Sequence, residues 1–141
     1  MHSICQGNGA GPSIWAVVSS PILNTMRKRK YGINYISPIT KTNTSFVGYA
    51  FVDNTDLLRG LSALSQAGAV VTSMQEALDA WEGGLKVTGW AIVRGKTFWY
   101  LIDFKWVQGE WSYKNSTESP GHLWVNDINN SRTKIRRVEP H

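Results

Sequence analysis

The sequence predicts a single α+β domain, an antiparallel sheet of about four strands with two helices packed on one face. Three observations lead there. Apolar residues recur at helical spacing between Ser13 and Met26. Residues 46–58 are rich in β-branched and aromatic types and are interrupted by one small polar pair. Residues 97–113 read as an aromatic strand, a Gln-Gly turn and a return strand. At 141 residues the chain suits one core that buries roughly two-thirds of its unfolded surface. Its 42% hydrophobic and 18% charged content places it among globular chains.

The chain opens on the glycine-rich segment Cys5-Gln6-Gly7-Asn8-Gly9-Ala10-Gly11-Pro12, whose backbone can approach another chain closely. No lysine follows, so it is not a phosphate loop. Ser13 can cap a helix carrying Ile14, Trp15, Val18, Ile22 and Met26 on one stripe. Pro21 should kink it. Arg27, Lys28, Arg29 and Lys30 then suit the negative end of the helix dipole and are candidates for nucleic-acid contact. Gly32 stops the helix, Ile33–Ile39 reads as a strand limited by Pro38, and Thr40–Ser45 as a polar turn. Val47, Tyr49, Phe51 and Val52 favour a pleated backbone, and Asp53-Asn54 suits the positive φ of a hairpin tip.

Ser73 and Glu76 have capping-box spacing, and Met74, Ala77, Leu78 and Trp81 form a short helical stripe closed by Gly83-Gly84. Leu85–Ile92 is strand-like up to an Arg94-Gly95 turn. Thr97–Val107 reads as one long strand, turned back at Gln108-Gly109 into Glu110–Tyr113. Residues 114–141 are polar, with Arg132, Lys134, Arg136 and Arg137, and are expected to form a poorly ordered basic tail behind a domain of residues 1–113.

The formal charge of +5 and pI near 9.5 fit a polyanionic partner. Cys5 is the only cysteine, which excludes an internal disulfide and a multi-cysteine zinc site; His2, His122 and His141 lack ligand spacing. No signal peptide or membrane-length apolar run is present. A soluble intracellular protein, cytoplasmic or nuclear, with no membrane partner is therefore expected.

Phe51-Val52-Asp53-Asn54 resembles the aromatic-x-Asp-Asp metal-binding hairpin of reverse transcriptase palm domains, with the second carboxylate replaced by its uncharged isostere. Three further stretches are similar to the same family. Gln6-Gly7 and the helix from Ser13 resemble the segment that lines template and incoming nucleotide. Trp81, Gly83-Gly84-Leu85 and Lys96 resemble the helix, glycine and lysine that follow the hairpin. Trp99-Tyr100-Leu101-Ile102-Asp103-Phe104 falls where the family places strands leading to the primer grip. The order agrees over residues 4–113 and resembles non-retroviral retroelement polymerases.

The resemblance implies a partial, truncated palm whose chemistry is nucleotidyl transfer, RNA-directed DNA synthesis by two metal ions. Asp53 would be a catalytic residue and metal ligand, and Lys96 the proton donor to leaving pyrophosphate. Gln6, Gly7 and Asn54 would lie at nucleotide and template, Mg²⁺ or Mn²⁺ would be the cofactor, and an RNA template or DNA primer the partner. The family takes another essential aspartate from a strand upstream of the Gln-Gly segment. With Met1 as the first residue, that segment is expected to be missing or supplied by another chain. Mg²⁺ is a hard ion that binds neutral amides weakly, so Asn54 does not replace a carboxylate. The chain alone is thus expected to bind metal weakly, to lack polymerase activity, and to self-associate through exposed palm surface.

Other readings of the same residues stay open. Asp53-Asn54 alone is a good turn dipeptide, and Lys96 an ordinary turn lysine. The chain also fits a non-catalytic module for single-stranded nucleic acid, with Trp99, Tyr100 and Trp106 as stacking platforms. A third reading is a tryptophan-rich β module that binds a sugar or a protein.

Overall fold

The computed structural model describes residues 11–51, 54–61, 65–126 and 129–140. The α+β class holds, with two helices and small sheets. The rest of the layout departs from the expected one: the chain forms two compact units, Met1–Gly60 and Leu61–His141, in place of a 113-residue domain and a tail. Instead of one four-stranded sheet, the described strands form five two-stranded ones, four antiparallel and one parallel. Each strand is only two to four residues long, at or below the short end of the usual range.

The first described element of unit 1 is helix α1, Gly11–Lys28, which buries Trp15, Ser19, Ile22 and Met26 at alternating steps of four and three residues. Ser13 lies within this helix, two residues after its first described one, and is therefore not the cap that the spacing predicts. The helix also runs uninterrupted through Pro21, which sits on the exposed side, where water can satisfy the carbonyl left without a donor. Its end is a Schellman turn. Lys30, not a glycine, adopts the left-handed conformation (φ 62°), its N–H donates to Arg27 O, and the Tyr31 N–H reaches back to Met26 O.

Strands β1, Ile33–Ile36, and β2, Asn43–Phe46, pair antiparallel. Val47 then leaves the ladder and is buried at 2% exposure before β3, Gly48–Phe51, pairs with β4, Asn54–Leu57. Helix α1 packs on β3. The Arg59 guanidinium donates to Lys30 O (2.9 Å) and Gly32 O (3.2 Å) and lies 5.6 Å from the Tyr31 ring centroid, which ties the end of the hairpin to the end of α1.

Unit 2 is built on helix α2, Ala67–Thr88, with Val71, Ser73, Ala77, Leu78, Trp81, Glu82 and Leu85 buried. The expected capping box is absent: Ser73 is buried in the second turn of the helix, which opens on Gln66. Gly83 and Gly84 are helical because Trp81 and Leu85 on either side are both buried, and tertiary packing outweighs a propensity penalty of about 1 kcal/mol per glycine. The helix stops at Gly89 (φ 80°), whose N–H, with that of Trp90, closes a second Schellman turn. Residues 85–88 are therefore helical where a strand was expected.

A 3-10 turn, Arg94–Lys96, occupies the expected Arg94-Gly95 turn, and the long strand expected after it is two. These are β5, Phe98–Trp99, and β6, Phe104–Val107, separated where Leu101 turns into the core. Strand β6 pairs with β7, Glu110–Tyr113, across Gln108-Gly109, both with positive φ (52° and 88°) as a type I′ turn requires.

Residues 114–141 are not a disordered tail within their described part. Strands β8, Trp124–Asn126, and β9, Arg132–Lys134, form an antiparallel pair, and β10, Arg136–Arg137, lies parallel to β5. Leu123 and Val125 are 0% exposed and Ile135 is 3% exposed. Gln75 clamps β8 to α2 by donating to Trp124 O and accepting from the Trp124 N–H, both at 2.8 Å. Two turns along, Glu82 accepts from the Asn126 N–H and side-chain amide.

Asp103 organises the 103–119 region, accepting from Lys114 Nζ (2.9 Å), Ser119 Oγ (2.8 Å) and the Phe104 N–H (2.8 Å). Partial burial pushes its carboxyl upward, but these hydrogen bonds and the Lys114 charge outweigh burial and hold it below its ordinary value. A lowered folded-state pKa contributes stability above the unfolded value of about 3.9, lost as pH falls through the folded one. We expect the urea midpoint to fall between pH 7 and pH 3, and to fall less in Asp103→Asn; equal falls would remove Asp103 from the acid response.

No helix among the described residues is long and apolar enough to cross a membrane.

Candidate functional site

The β3–β4 hairpin carries the residues on which the sequence reading rests. Phe51 pairs with Asn54, so two residues separate the strands, and Asn54 is the first residue of β4 rather than the second of the turn. This one-residue shift changes which side chains share a face. Asn54 and Asp56 alternate onto the exposed side, with Thr55 and Leu57 half-buried opposite. Asp56 lies directly across from Tyr49, which is 52% exposed.

Backbone crowding holds this hairpin in register. A Cβ on Gly48 would lie 2.1 Å from Asp56 O, so the strands approach more closely than any side chain at position 48 allows. Behind the hairpin, Gly32 (φ 106°) sits against Phe46 O, and the Leu58 N–H donates to Val47 O at 2.8 Å. The exposed edge of β4 is thus positioned by two glycines, buried Val47 and the Arg59 clamp.

Asp53, Gln6 and Gly7 lie outside the described residues. Of the other candidates, Asn54 belongs to unit 1 and Lys96, exposed at the end of the 3-10 turn, to unit 2. Arg27, Lys28, Arg29 and Lys30 are exposed around the end of α1. Trp99 is not a free stacking platform: it is 7% exposed and the Arg137 guanidinium lies 5.0 Å from its ring centroid. Tyr100 and Trp106 remain exposed, at 52% and 60%.

The donors on the exposed face of β4 are one carboxylate, Asp56, and one amide, Asn54. Two Mg²⁺ ions need several hard anionic oxygens. No group of three His, Cys, Asp or Glu comes together among the described residues, and what they supply does not amount to a two-ion centre.

One grouping of cations is not legible in the sequence. Arg94 and the cations of residues 134–137, assigned there to a turn and a tail, line one cavity in unit 2. Its only sequence signal is the density of Lys and Arg after Ser131, because the pairing of β10 with β5 is non-local.

Comparison with protein-family models, curated proteins and solved structures finds no match.

Proposed function

We propose that this chain derives from the palm of a retroelement reverse transcriptase, an RNA-directed DNA polymerase, that its catalytic hairpin has lost one of its paired carboxylates, and that it is inactive. The observation that carries the proposal is the antiparallel β3–β4 hairpin, with two residues between Phe51 and Asn54, set against the preceding helix α1. A helix followed by an acidic hairpin is the order that the resemblance requires. In this reading Asp53 holds a single Mg²⁺ or Mn²⁺ weakly, Asn54 stands where a second ligand was, and Lys96 is the former proton donor. Gln6 and Gly7 belong to the template and nucleotide side, and Arg27–Lys30 to the nucleic-acid backbone. Tyr35, Ile36 and Ile39, all more than half exposed, supply the apolar surface for self-association.

The chemistry explains the inactivity. A two-ion phosphoryl transfer leaves most of its metal charge uncompensated when one carboxylate faces it, and each lost contact of that kind is worth several kcal/mol of barrier. Primer extension by the purified chain with Mg²⁺ or Mn²⁺ should give no incorporation; incorporation that Asp53→Ala abolishes would contradict this. Asn54→Asp restores one unit charge beside Asp53. It should tighten Mn²⁺ binding about tenfold or more, since a charge within about 4 Å is worth several kcal/mol at an effective dielectric near 20. Unchanged Mn²⁺ affinity in Asn54→Asp would count against a former metal centre.

A further inference from the structure

Unit 2 contains nine Lys and Arg residues. Four of them, Lys86, Lys105, Lys114 and Arg132, are ion-paired with Glu82, Glu118, Asp103 and Asp79. Of the other five, four line a single cavity of about 890 Å³: Arg94, Lys134, Arg136 and Arg137, with His122 beside them. None of these four is ion-paired among the described residues. Like charges gathered without counter-charge raise a positive potential in a concave site, the arrangement that concentrates an anionic ligand.

The cavity is assembled by tertiary structure. Strand β10 reaches it by pairing parallel with β5, which sets Arg136 beside Phe98 and Arg137 beside Trp99. Arg137 is held by the Trp99 ring and by donating from Nη1 to Ser119 O, yet its Nε and Nη2 are buried with no hydrogen-bond partner. Arg137 thus adds an uncompensated charge to the cavity wall, while Arg94, Lys134 and Arg136 are the exposed cations there. Glu139 accepts from the N–H of Ser116, a lining residue, and forms no ion pair with the cavity's cations among the described residues.

An aromatic ring distinguishes one source of anion from another. Phe98 is 53% exposed and is the register partner of Arg136. A cation for the backbone beside an open ring for a base is the pairing that binds single-stranded nucleic acid. We propose that this cavity binds a phosphate of a single-stranded nucleic acid, with Lys134, Arg136 and Arg94 on the phosphate and Phe98 stacking on the adjoining base. The site stands whether or not the hairpin of unit 1 is a former metal centre, and different variants test the two.

The test uses the full-length chain and a fluorescently labelled oligothymidylate strand, followed by anisotropy across a salt series. Lys134→Gln and Arg136→Gln keep exposed side chains of similar length and leave the Arg137–Trp99 contact intact. Each should weaken binding roughly tenfold and reduce the slope of log K against log salt by about 0.7. Phe98→Ala should weaken binding with the slope unchanged. Arg132→Gln, which removes an equal charge elsewhere in the unit, should change affinity less than twofold. Parental affinity in Lys134→Gln and Arg136→Gln, or equal weakening by Arg132→Gln, would overturn the site. Inorganic pyrophosphate that binds as tightly as the strand would make it a free-anion site and overturn the nucleic-acid assignment.

Discussion

Leu123→Ala is expected to lower the unfolding free energy of unit 2 by about 2–5 kcal/mol, the range for deleting a fully buried leucine side chain. Leu123 is 0% exposed, its carbonyl accepts from the Ile135 N–H, and the next residue is clamped from both sides by Gln75. With that geometry held by backbone bonds, the site has little freedom to collapse around the void, which favours the upper part of the range. Leu123→Met, which conserves volume, should cost less than about 1.5 kcal/mol. Urea unfolding followed by tryptophan fluorescence measures both; a loss below about 1 kcal/mol in Leu123→Ala would mean that residues 123–125 do not belong to the core.

Gly48→Ala is expected to open the β3–β4 hairpin. The added methyl would lie 2.1 Å from Asp56 O and 3.1 Å from the Leu57 Cα, backbone atoms that no side-chain rotation can move away. Relief requires the strands to separate at the Gly48–Leu57 pair, at a cost of about 3 kcal/mol or more, the upper end of overpacking effects. Amide exchange in Tyr49–Phe51 and Asn54–Leu57 should accelerate, while the amides of α2 in unit 2 keep their protection. Unchanged protection in the hairpin would show that the strands tolerate a Cβ at position 48.

The elements legible in the sequence are those whose signals are local. The β6–β7 hairpin follows from alternating aromatics around Gln108-Gly109, and its cross-strand pairs do meet: the Phe104 and Tyr113 rings are tilted with centroids 4.9 Å apart, and Trp106 and Trp111 pack edge to face at 5.0 Å. Helix α1 follows from Trp15, Ile22 and Met26. Neither end of helix α2 is legible in the sequence, because Gly83-Gly84 and Ser73 carry strong local preferences that burial of Trp81, Leu85 and Ser73 itself overrides. Residues 114–141 hold a core segment: Leu123 and Val125 are buried on either side of half-exposed Trp124, as in a strand, but in the sequence they are only a three-residue apolar run among glycine, serine and asparagine, too short to outweigh composition.

The candidate sites divide in the same way. The hairpin of residues 48–57 was visible as a β-rich run around a polar pair, and only its register was off by one residue, a shift that turn chemistry alone does not decide when Val52, Asp53 and Asn54 adjoin. The cationic cavity was not visible, because Arg94 and Arg136 meet through a parallel pairing across some forty residues of sequence. Single-sequence patterns carry no trace of such a contact.

The claim on which the functional proposal depends is that residues 51–54 are a former metal-ion site, and paramagnetic relaxation tests it directly. Mn²⁺ titrated into the isotopically labelled chain broadens the amides nearest the ion even when binding is weak. A former catalytic hairpin predicts selective broadening of Phe51 and Asn54 over the rest of α1 and β1–β4, abolished by Asp53→Ala. Broadening centred elsewhere, or unaltered by Asp53→Ala, would contradict it.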